Sequence, residues 1–290
     1  MTVFNLGSIN TDHFYRVPHL PQPGETVAAL GYMKGLGGKG ANQSVAALRA
    51  GARVVHIGAI GEGDGWIAAK LAEMGLDLGA IARVDQPTGH AIVATDPAGE
   101  NAIILHPGAN RAQSRKVIEQ TLSAGQAGDI LLLQNETNCQ AEAAKLAQEH
   151  GMRVLYSAAP FELDALKAVL PHVTHLLVNA GEAAALVAET GTALEALPVK
   201  AVIVTRGADG AEWVSAEGVF HAPAHKVTPV DTTGAGDCFA GTLAAAIDQG
   251  MTPEQALRQA SAAAALQVTR PGTAEAMPDR DEVADFIGRA

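Results

Sequence analysis

Two glycine turns carry the residues best suited to chemistry. Late in the chain, Val230-Asp231-Thr232-Thr233-Gly234-Ala235-Gly236-Asp237-Cys238-Phe239 runs from a strand end into a long helical pattern. Glycine lets the backbone turn tightly and bring its N–H groups against a ligand. Unpaired amides and the positive end of a helix then make an anion site. Asp237 falls in the first helical turn, beside the place where an anion would sit. A carboxylate there is wasteful for binding, but it suits a base that takes a proton from an attacking hydroxyl. It would equally complement the helix dipole, and the local sequence leaves both roles open.

The second turn is Gly35-Leu36-Gly37-Gly38-Lys39-Gly40-Ala41-Asn42-Gln43. It matches G-x-G-x-x-G by spelling, yet a dinucleotide site wants the glycines straight after the first strand, and here a Pro-rich stretch intervenes. A phosphate-binding P-loop is excluded as well, because Met33 takes the first glycine position and Gly40 follows the lysine. What remains is a glycine loop at a helix start, presenting Lys39 and Asn42, a pairing that suits hydroxyl recognition but is equally consistent with a plain loop and helix cap. Further polar residues close other strands: Asn10-Thr11-Asp12, Asn179-Ala180-Gly181-Glu182 and Thr205-Arg206-Gly207-Ala208-Asp209-Gly210. The carboxyl edge of an open parallel sheet is where ligands bind. Taken singly, each of these is as well read as a turn or a helix start.

The elements that must position these residues follow from hydrophobic pattern. Apolar runs predict strands over 3–9, 54–60, 130–134, 154–157, 176–178 and 201–205. Ala-rich stretches at helical spacing predict helices over 41–50, 66–74, 114–124, 141–149 and 182–189, then 235–249, 253–267 and 281–289. Strands apolar throughout are covered on both faces, so the alternation favours an α/β sandwich around a mostly parallel sheet with right-handed crossovers. Two stretches break the rhythm: the Pro-rich piece 13–34, and a hairpin of 91–95 with 102–105 over Asp96-Pro97-Ala98-Gly99. Both read as one small β-layer, a lid or subunit contact, projecting from a single domain spanning 1–290.

The chain has 290 residues and a formal charge of −11, which argues against nucleic acid or an anionic membrane as partner. Its 48% hydrophobic content excludes global disorder. Two cysteines, Cys139 and Cys238, form no disulfide framework, and the opening residues show no signal-peptide pattern, so a cytoplasmic protein is expected. His172 and His175 lack the partners of a metal site. Cys238 at a helix start reads as a packed hydrophobe rather than a reactive thiol.

Together and in this order, these segments resemble the ribokinase family of PfkB-type carbohydrate kinases, from the first strand to about Pro278. The two signatures, Gly37-Gly38-Lys39-Gly40-Ala41-Asn42-Gln43 and Asp231-Thr232-Thr233-Gly234-Ala235-Gly236-Asp237, are specific as a pair. Pro23-Gly24-Glu25-Thr26, His106-x-Gly108-Ala109-Asn110 and Val268-Thr269-Arg270-x-Gly272 resemble the pattern of its ribose-specific members. The resemblance implies a three-layer α/β/α sandwich with a small β-sheet lid inserted from about 13–34 and 88–106, pairing two subunits. It implies ATP-dependent phosphorylation of D-ribose at O5, with Asp237 as base and Gly234, Ala235 and Gly236 as anion hole. Asn10, Thr11, Asp12, Gly38, Lys39, Gly40, Ala41, Asn42 and Glu136 would hold the sugar. Asn179, Glu182, Thr205, Arg206, Gly207, Ala208, Asp209, Gly210, Gly236 and Ser261 would face ATP, with Glu182 positioning Mg²⁺ through water. A monovalent cation, K⁺, would sit at Asp231, Thr233, Gln267, Arg270, Gly272 and Ala276. Three departures stand out. The stretch 191–201 is short, Tyr156-Ser157-Ala158-Ala159-Pro160 replaces an Asn-Pro-x-Pro spelling, and Ala276 replaces a serine of the cation site. The alternatives are a PfkB-type kinase of another sugar, a sugar acid or a nucleoside, and a catalytically silent sugar-binding regulator.

Overall fold

Every residue of Ile130–Gln134 is buried, and its side chains divide between two cores. Ile130 and Leu132 join one apolar cluster, Leu131 and Leu133 the other. Successive strand residues point to opposite faces, so this strand lies in the middle layer of three. Residues 201–204 divide in the same way.

A computed structural model of the chain describes residues 1–289. Its first half contains strands β1 (Thr2–Leu6), β2 (Asn10–Arg16) and β3 (Gly31–Gly37), helix α1 (Lys39–Arg49), β4 (Arg53–Gly61), α2 (Gly65–Glu73), β5 (Ile81–Val84), β6 (Gly89–Thr95), β7 (Asn101–His106) and α3 (Arg115–Leu122). The second half contains β8 (Ile130–Gln134), α4 (Gln140–Glu149), β9 (Arg153–Ser157), α5 (Leu163–Val169), β10 (His175–Asn179), α6 (Ala180–Thr190) and β11 (Ala201–Thr205). It ends with β12 (Ala211–Ser215), β13 (Gly218–Ala222), α7 (Ala235–Asp248), α8 (Pro253–Gln267) and α9 (Arg280–Arg289).

The main sheet has the order β13-β12-β11-β10-β9-β8-β1-β4-β5, parallel except for β12 and β13 at one edge. Residues of α1, α2, α7 and α8 pack on one face, and residues of α3, α4, α5 and α6 on the other. A separate sheet, β3-β2-β6-β7, is built from the two stretches that interrupt the rhythm. The fold is therefore the α/β sandwich with a small β-layer that the sequence predicts.

One expected element splits. The strand predicted over 3–9 ends at Leu6, and Asn10 already belongs to β2 in the other sheet. Helix α1 starts against this point: a Cβ on Gly7 would lie 2.5 Å from the Cα of Gly40. The chain leaves the main sheet where that helix crosses it. Asn10, Thr11 and Asp12 thus stand on the small sheet rather than in a turn after the first strand, and that sheet begins three residues earlier than the 13–34 stretch implies. Between Gly191 and Ala201 the described residues form only a single-turn 3₁₀ helix, Leu194–Ala196, in keeping with the shortness of that stretch.

Candidate active site

Helices α1 and α7 lie against each other along small residues. A Cβ on Gly241 of α7 would sit 2.2 Å from the carbonyl oxygen of Gln43 and 2.7 Å from Ala46 Cβ. Only glycine permits this approach. It brings the first turn of α7, with Asp237, beside the first turn of α1, with Asn42 and Gln43. Asn42 Nδ2 donates to Asp237 Oδ2 at 3.0 Å, and Gln43 Nε2 donates to Asp237 Oδ1 at 2.9 Å. Each oxygen of the carboxylate is held by one carboxamide.

Gln43 is itself anchored. Gln134 Nε2 donates to Gln43 Oε1 at 2.8 Å and to Asn5 Oδ1 at 2.9 Å. Asn5 Nδ2 in turn donates to Ser44 Oγ at 2.8 Å, which lies 2.8 Å from His56 Nδ1. All five of these side chains are buried. Burial lowers the His56 pKa to about 4, so the ring is neutral. A neutral, hydrogen-bonded chain therefore runs from the core to Asp237 and fixes its orientation. Withdrawal from water raises the Asp237 pKa, while Lys39 and the two amide donors pull it back, leaving it above the ordinary aspartate value.

Lys39 sits among carboxylates. Its Nζ lies 3.7 Å from Glu136 Oε1, and its backbone N–H donates to Glu136 Oε2 at 3.3 Å. Burial would lower its pKa, but Glu136, Asp237 and Glu182 together hold it above the ordinary lysine value. Ser8 Oγ also donates to Glu136. Burial and the neighbouring Glu136 push Asp12 up to about 6. Asn110 Nδ2 donates to Asn10 Oδ1 at 2.7 Å, while Asn110 Oδ1 accepts from the Ile9 N–H at 2.9 Å. Thr11 Oγ1, Asp12 Oδ1 and Asn42 Oδ1 are buried without partners. Buried polar groups are normally satisfied, and the hydroxyls of a polyhydroxylated ligand supply the donors that Asp12 Oδ1 and Asn42 Oδ1 lack. Thr11, between Asn10 and Asp12 in β2, points instead to the opposite face of the small sheet, away from the predicted sugar contacts.

Next to Asp237 opens a cavity of about 190 Å³ lined by Lys39, Asn179, Glu182, Thr205, Thr232, Gly234, Ala235 and Gly236, with Ser157, Ala159, Leu177 and Val178. Gly234 has φ +81°, in the left-handed region that favours glycine. A Cβ on Gly236 would meet nothing within 4 Å. Packing within the chain therefore does not require glycine at Gly236, whereas a ligand brought close to its backbone would. Asn179 and Glu182 form a capping box: Glu182 Oε2 accepts from the Asn179 N–H at 2.7 Å, and Asn179 Oδ1 accepts from the Glu182 N–H at 2.9 Å. Burial raises the Glu182 pKa. A larger depression of about 480 Å³ between α3 and α4 holds none of the predicted site residues.

Several predicted residues stand apart from this cavity. Arg206, Ala208 and Asp209 are exposed beside it, and Arg206 Nη2 pairs with Glu212 at 2.7 Å. Gly207 and Gly210 shape that turn with positive φ. Ser261 is buried in α8 and does not line the cavity. The Arg270 guanidinium binds Glu282 at 2.6 and 3.2 Å. Gly38, Gly40 and Ala41 bring the start of α1 against Ser8; the Ala41 N–H donates to the Ser8 carbonyl at 2.8 Å. Asp231 Oδ1 accepts from the Thr233 N–H at 2.9 Å and Oδ2 from the Gly272 N–H at 3.1 Å. These bonds hold the carboxyl below the ordinary aspartate value despite its partial burial. Ala276 is buried with an apolar side chain. Burial pushes the Cys238 thiol up to about 12, so it is packed and inert. Sequence reasoning missed Gln43, Gln134 and Asn110 as site residues. The visible signal for Gln43 was two adjacent amides, Asn42-Gln43, opening an otherwise Gly/Ala-rich helix.

The pfkB family carbohydrate kinase model matches residues 2–280, and the chain belongs to that family. It is a phosphotransferase fold with an alcohol-acceptor site. Among relatives, the ribokinase of Haemophilus influenzae is 36% identical over 307 aligned residues, covering 100% of this chain and 99% of that protein. The ribokinase structure from Thermotoga maritima superposes with a TM-score of 0.88 at 34% identity, covering 99% of each chain. That of Arabidopsis thaliana ribokinase, complexed with ribose and ATP, superposes with a TM-score of 0.86 at 30% identity, over 99% of this chain and 98% of the other.

Proposed function

We propose that this chain transfers the γ-phosphoryl group of ATP to O5 of D-ribose, giving ribose 5-phosphate. The observation that carries the reading is the Asp237 carboxylate, held by Asn42 and Gln43 at the floor of a cavity whose other wall is the Gly234–Gly236 turn. Asp237 takes the proton of the sugar's 5-hydroxyl as that oxygen attacks the γ-phosphorus. Its raised pKa makes it a stronger base than a solvated aspartate. The amides of Gly234 and Gly236 at the start of α7 face the charge spread over the transferred group, together with the Ala235 N–H, which also donates to the Thr232 carbonyl at 3.3 Å. Lys39, which lines the same cavity, adds a fixed positive charge. Asn10, Asp12, Asn42 and Glu136 bind the remaining hydroxyls. Their positions are set before the sugar arrives, so the gain is in orientation.

ATP would lie along Asn179, Glu182 and the 205–210 turn. Mg²⁺ keeps several waters and binds through few carboxylates plus substrate phosphates. Glu182 suits that role, since only one of its oxygens is engaged by the Asn179 N–H. The ion would neutralise charge between the phosphates. The monovalent cation implied by the resemblance is not needed by this mechanism, because carbonyls it would bind already accept from Gln267. The small sheet serves as a lid over the sugar, excluding water on closure, and pairs with the lid of a second copy of this chain. The domain spans the whole chain. Two free thiols suit a cytoplasmic setting, and no described helix is long and apolar enough to cross a membrane.

The test is ATP-dependent turnover over a panel of ribose, 2-deoxyribose, ketoses, sugar acids and nucleosides, for the chain and for Asp237→Asn. Ribose should be the fastest acceptor. The variant should lose at least about 10³-fold in kcat while ribose affinity changes little, as expected for a base acting in the transition state. Fast turnover of another acceptor with none for ribose would overturn the substrate, and near-normal kcat in Asp237→Asn would overturn the base.

A further inference from the structure

Helix α8 ends on Gln267, whose side chain is fully buried. Its Nε2 donates to the Thr233 carbonyl at 2.8 Å and to the Gly272 carbonyl at 3.0 Å. Two backbone oxygens converging on one point need a positive partner there, either a cation or an N–H group. A carboxamide NH₂ carries two donors and fits both oxygens. The opposite amide orientation would set a third oxygen against two others, so the partners fix the assignment.

We propose that the Gln267 carboxamide takes the place of a bound monovalent cation under the anion-hole turn, making this chain's activity independent of potassium. The inference rests on the phosphoryl-transfer reading above. Thr233 contributes the carbonyl of the peptide unit whose N–H belongs to Gly234. That unit is planar, with C=O and N–H pointing oppositely. Holding the Thr233 oxygen therefore aims the Gly234 N–H at the opposite side, towards the turn. Gln267 is in this sense a positioning residue, acting through the backbone.

The side-chain oxygens expected at a cation site are engaged elsewhere or missing. Both Asp231 oxygens accept backbone N–H groups, from Thr233 and from Gly272. Arg270 could offer only its backbone oxygen, since its guanidinium is itself a cation, held by Glu282. Ala276 offers no side-chain oxygen. Two further bonds, from the Val230 and Asp231 N–H groups to the Val268 carbonyl at 2.7 and 3.1 Å, lock the 230–233 segment to the end of α8. Gln267 Oε1 is buried with no partner. A carboxamide retained with one end unsatisfied is placed for what its other end does.

The test begins with the unmodified chain, exchanged into a tetramethylammonium buffer and then supplied with potassium chloride at constant ionic strength. Neither its kcat nor its melting temperature should change. Gln267→Ala removes the donor and leaves the two carbonyls facing a small void. Its kcat should drop by about tenfold or more in tetramethylammonium and recover on adding potassium, with a potassium-dependent rise in melting temperature absent from the parent. Strong potassium activation or stabilisation of the unmodified chain would overturn the proposal, as would a Gln267→Ala enzyme equally active without potassium. If the variant does not fold, the parent's response alone decides. The melting measurement needs no sugar, so its outcome is independent of whether ribose is the acceptor.

Discussion

At the residue scale, the proposed mechanism turns on how one carboxylate, Asp237 as base, is kept both basic and aimed. Asp237 has two amide donors, and their partners differ. Asn42 Oδ1 is unpartnered, which leaves this side chain able to turn towards a sugar hydroxyl. Gln43 is clamped by Gln134 from behind and has no such freedom. The division suggests that Asn42 is shared with substrate while Gln43 belongs to the base. Replacing Gln43 by Leu removes a donor that favours the charged form, so the already raised Asp237 pKa moves further up. The base is active when deprotonated, and activity is lost as pH falls through its pKa. The acid limb of kcat/KM should therefore move to higher pH in Gln43→Leu, by about one unit for a bond of order 1.5 kcal/mol to a charged group. A pH–rate profile reads this directly, and an unmoved acid limb would mean that Gln43 only fills space.

At the element scale, the site exists because two helix starts are forced together. Alanine in place of a helical glycine ordinarily stabilises by about 1 kcal/mol. At Gly241 the sign should reverse, since the added carbon would meet the Gln43 carbonyl oxygen at 2.2 Å and backbone has little room to yield. Gly241→Ala is expected to lower the melting temperature and to reduce kcat as Gln43 shifts. Gly288→Ala, in α9 with nothing within 4 Å of the added carbon, should be neutral or slightly stabilising by the same assay. The elements themselves were legible to different degrees. The buried runs at Ile130–Gln134 and Ala201–Thr205 and the helix Pro253–Gln267 form over the predicted residues. Apolar strands covered on both faces and an Ala-rich helix opened by Thr252 and Pro253 announce themselves locally. The hairpin of β12 and β13 was not legible, because its apolar runs, Trp213-Val214 and Val219-Phe220, are only two residues long and the second lies on a mostly exposed edge. Neither was the end of β1 at Leu6, which is set by α1 crossing over it from 33 residues further along the chain. The glycine signatures mark the turn proposed as the anion site, and the Asn42-Gln43 pair hints at Gln43, whereas Gln134 and Asn110 became visible only when the fold brought their amides to Gln43 and Asn10.

At the scale of the whole molecule, a charge of −11 coexists with a phosphate-handling site. Of the described residues lining the cavity, Lys39 is the one cation, and the rest of the positive potential comes from backbone amides and the start of α7. The acidity thus opposes nucleic acid without opposing a nucleotide. The small sheet carries the remaining global constraint. Its register places Phe14, Met33, Val93, Ile103 and Leu105 on the same face as Asn10 and Asp12. Met33, Ile103 and Leu105 are each at least half exposed. An apolar extension of the face proposed to hold the sugar, left open in a single chain, is suited to a second copy meeting it across a two-fold axis. Light scattering should accordingly give twice the 29.7 kDa of one chain. Ile103→Glu buries a charge in that contact and should yield monomers. Because the face continues to Asn10 and Asp12, the monomeric variant should also show a raised KM for ribose with the KM for ATP unchanged. A parent chain that is monomeric at assay concentrations, or an Ile103→Glu variant that stays dimeric with unaltered ribose KM, would remove the small sheet from the subunit contact.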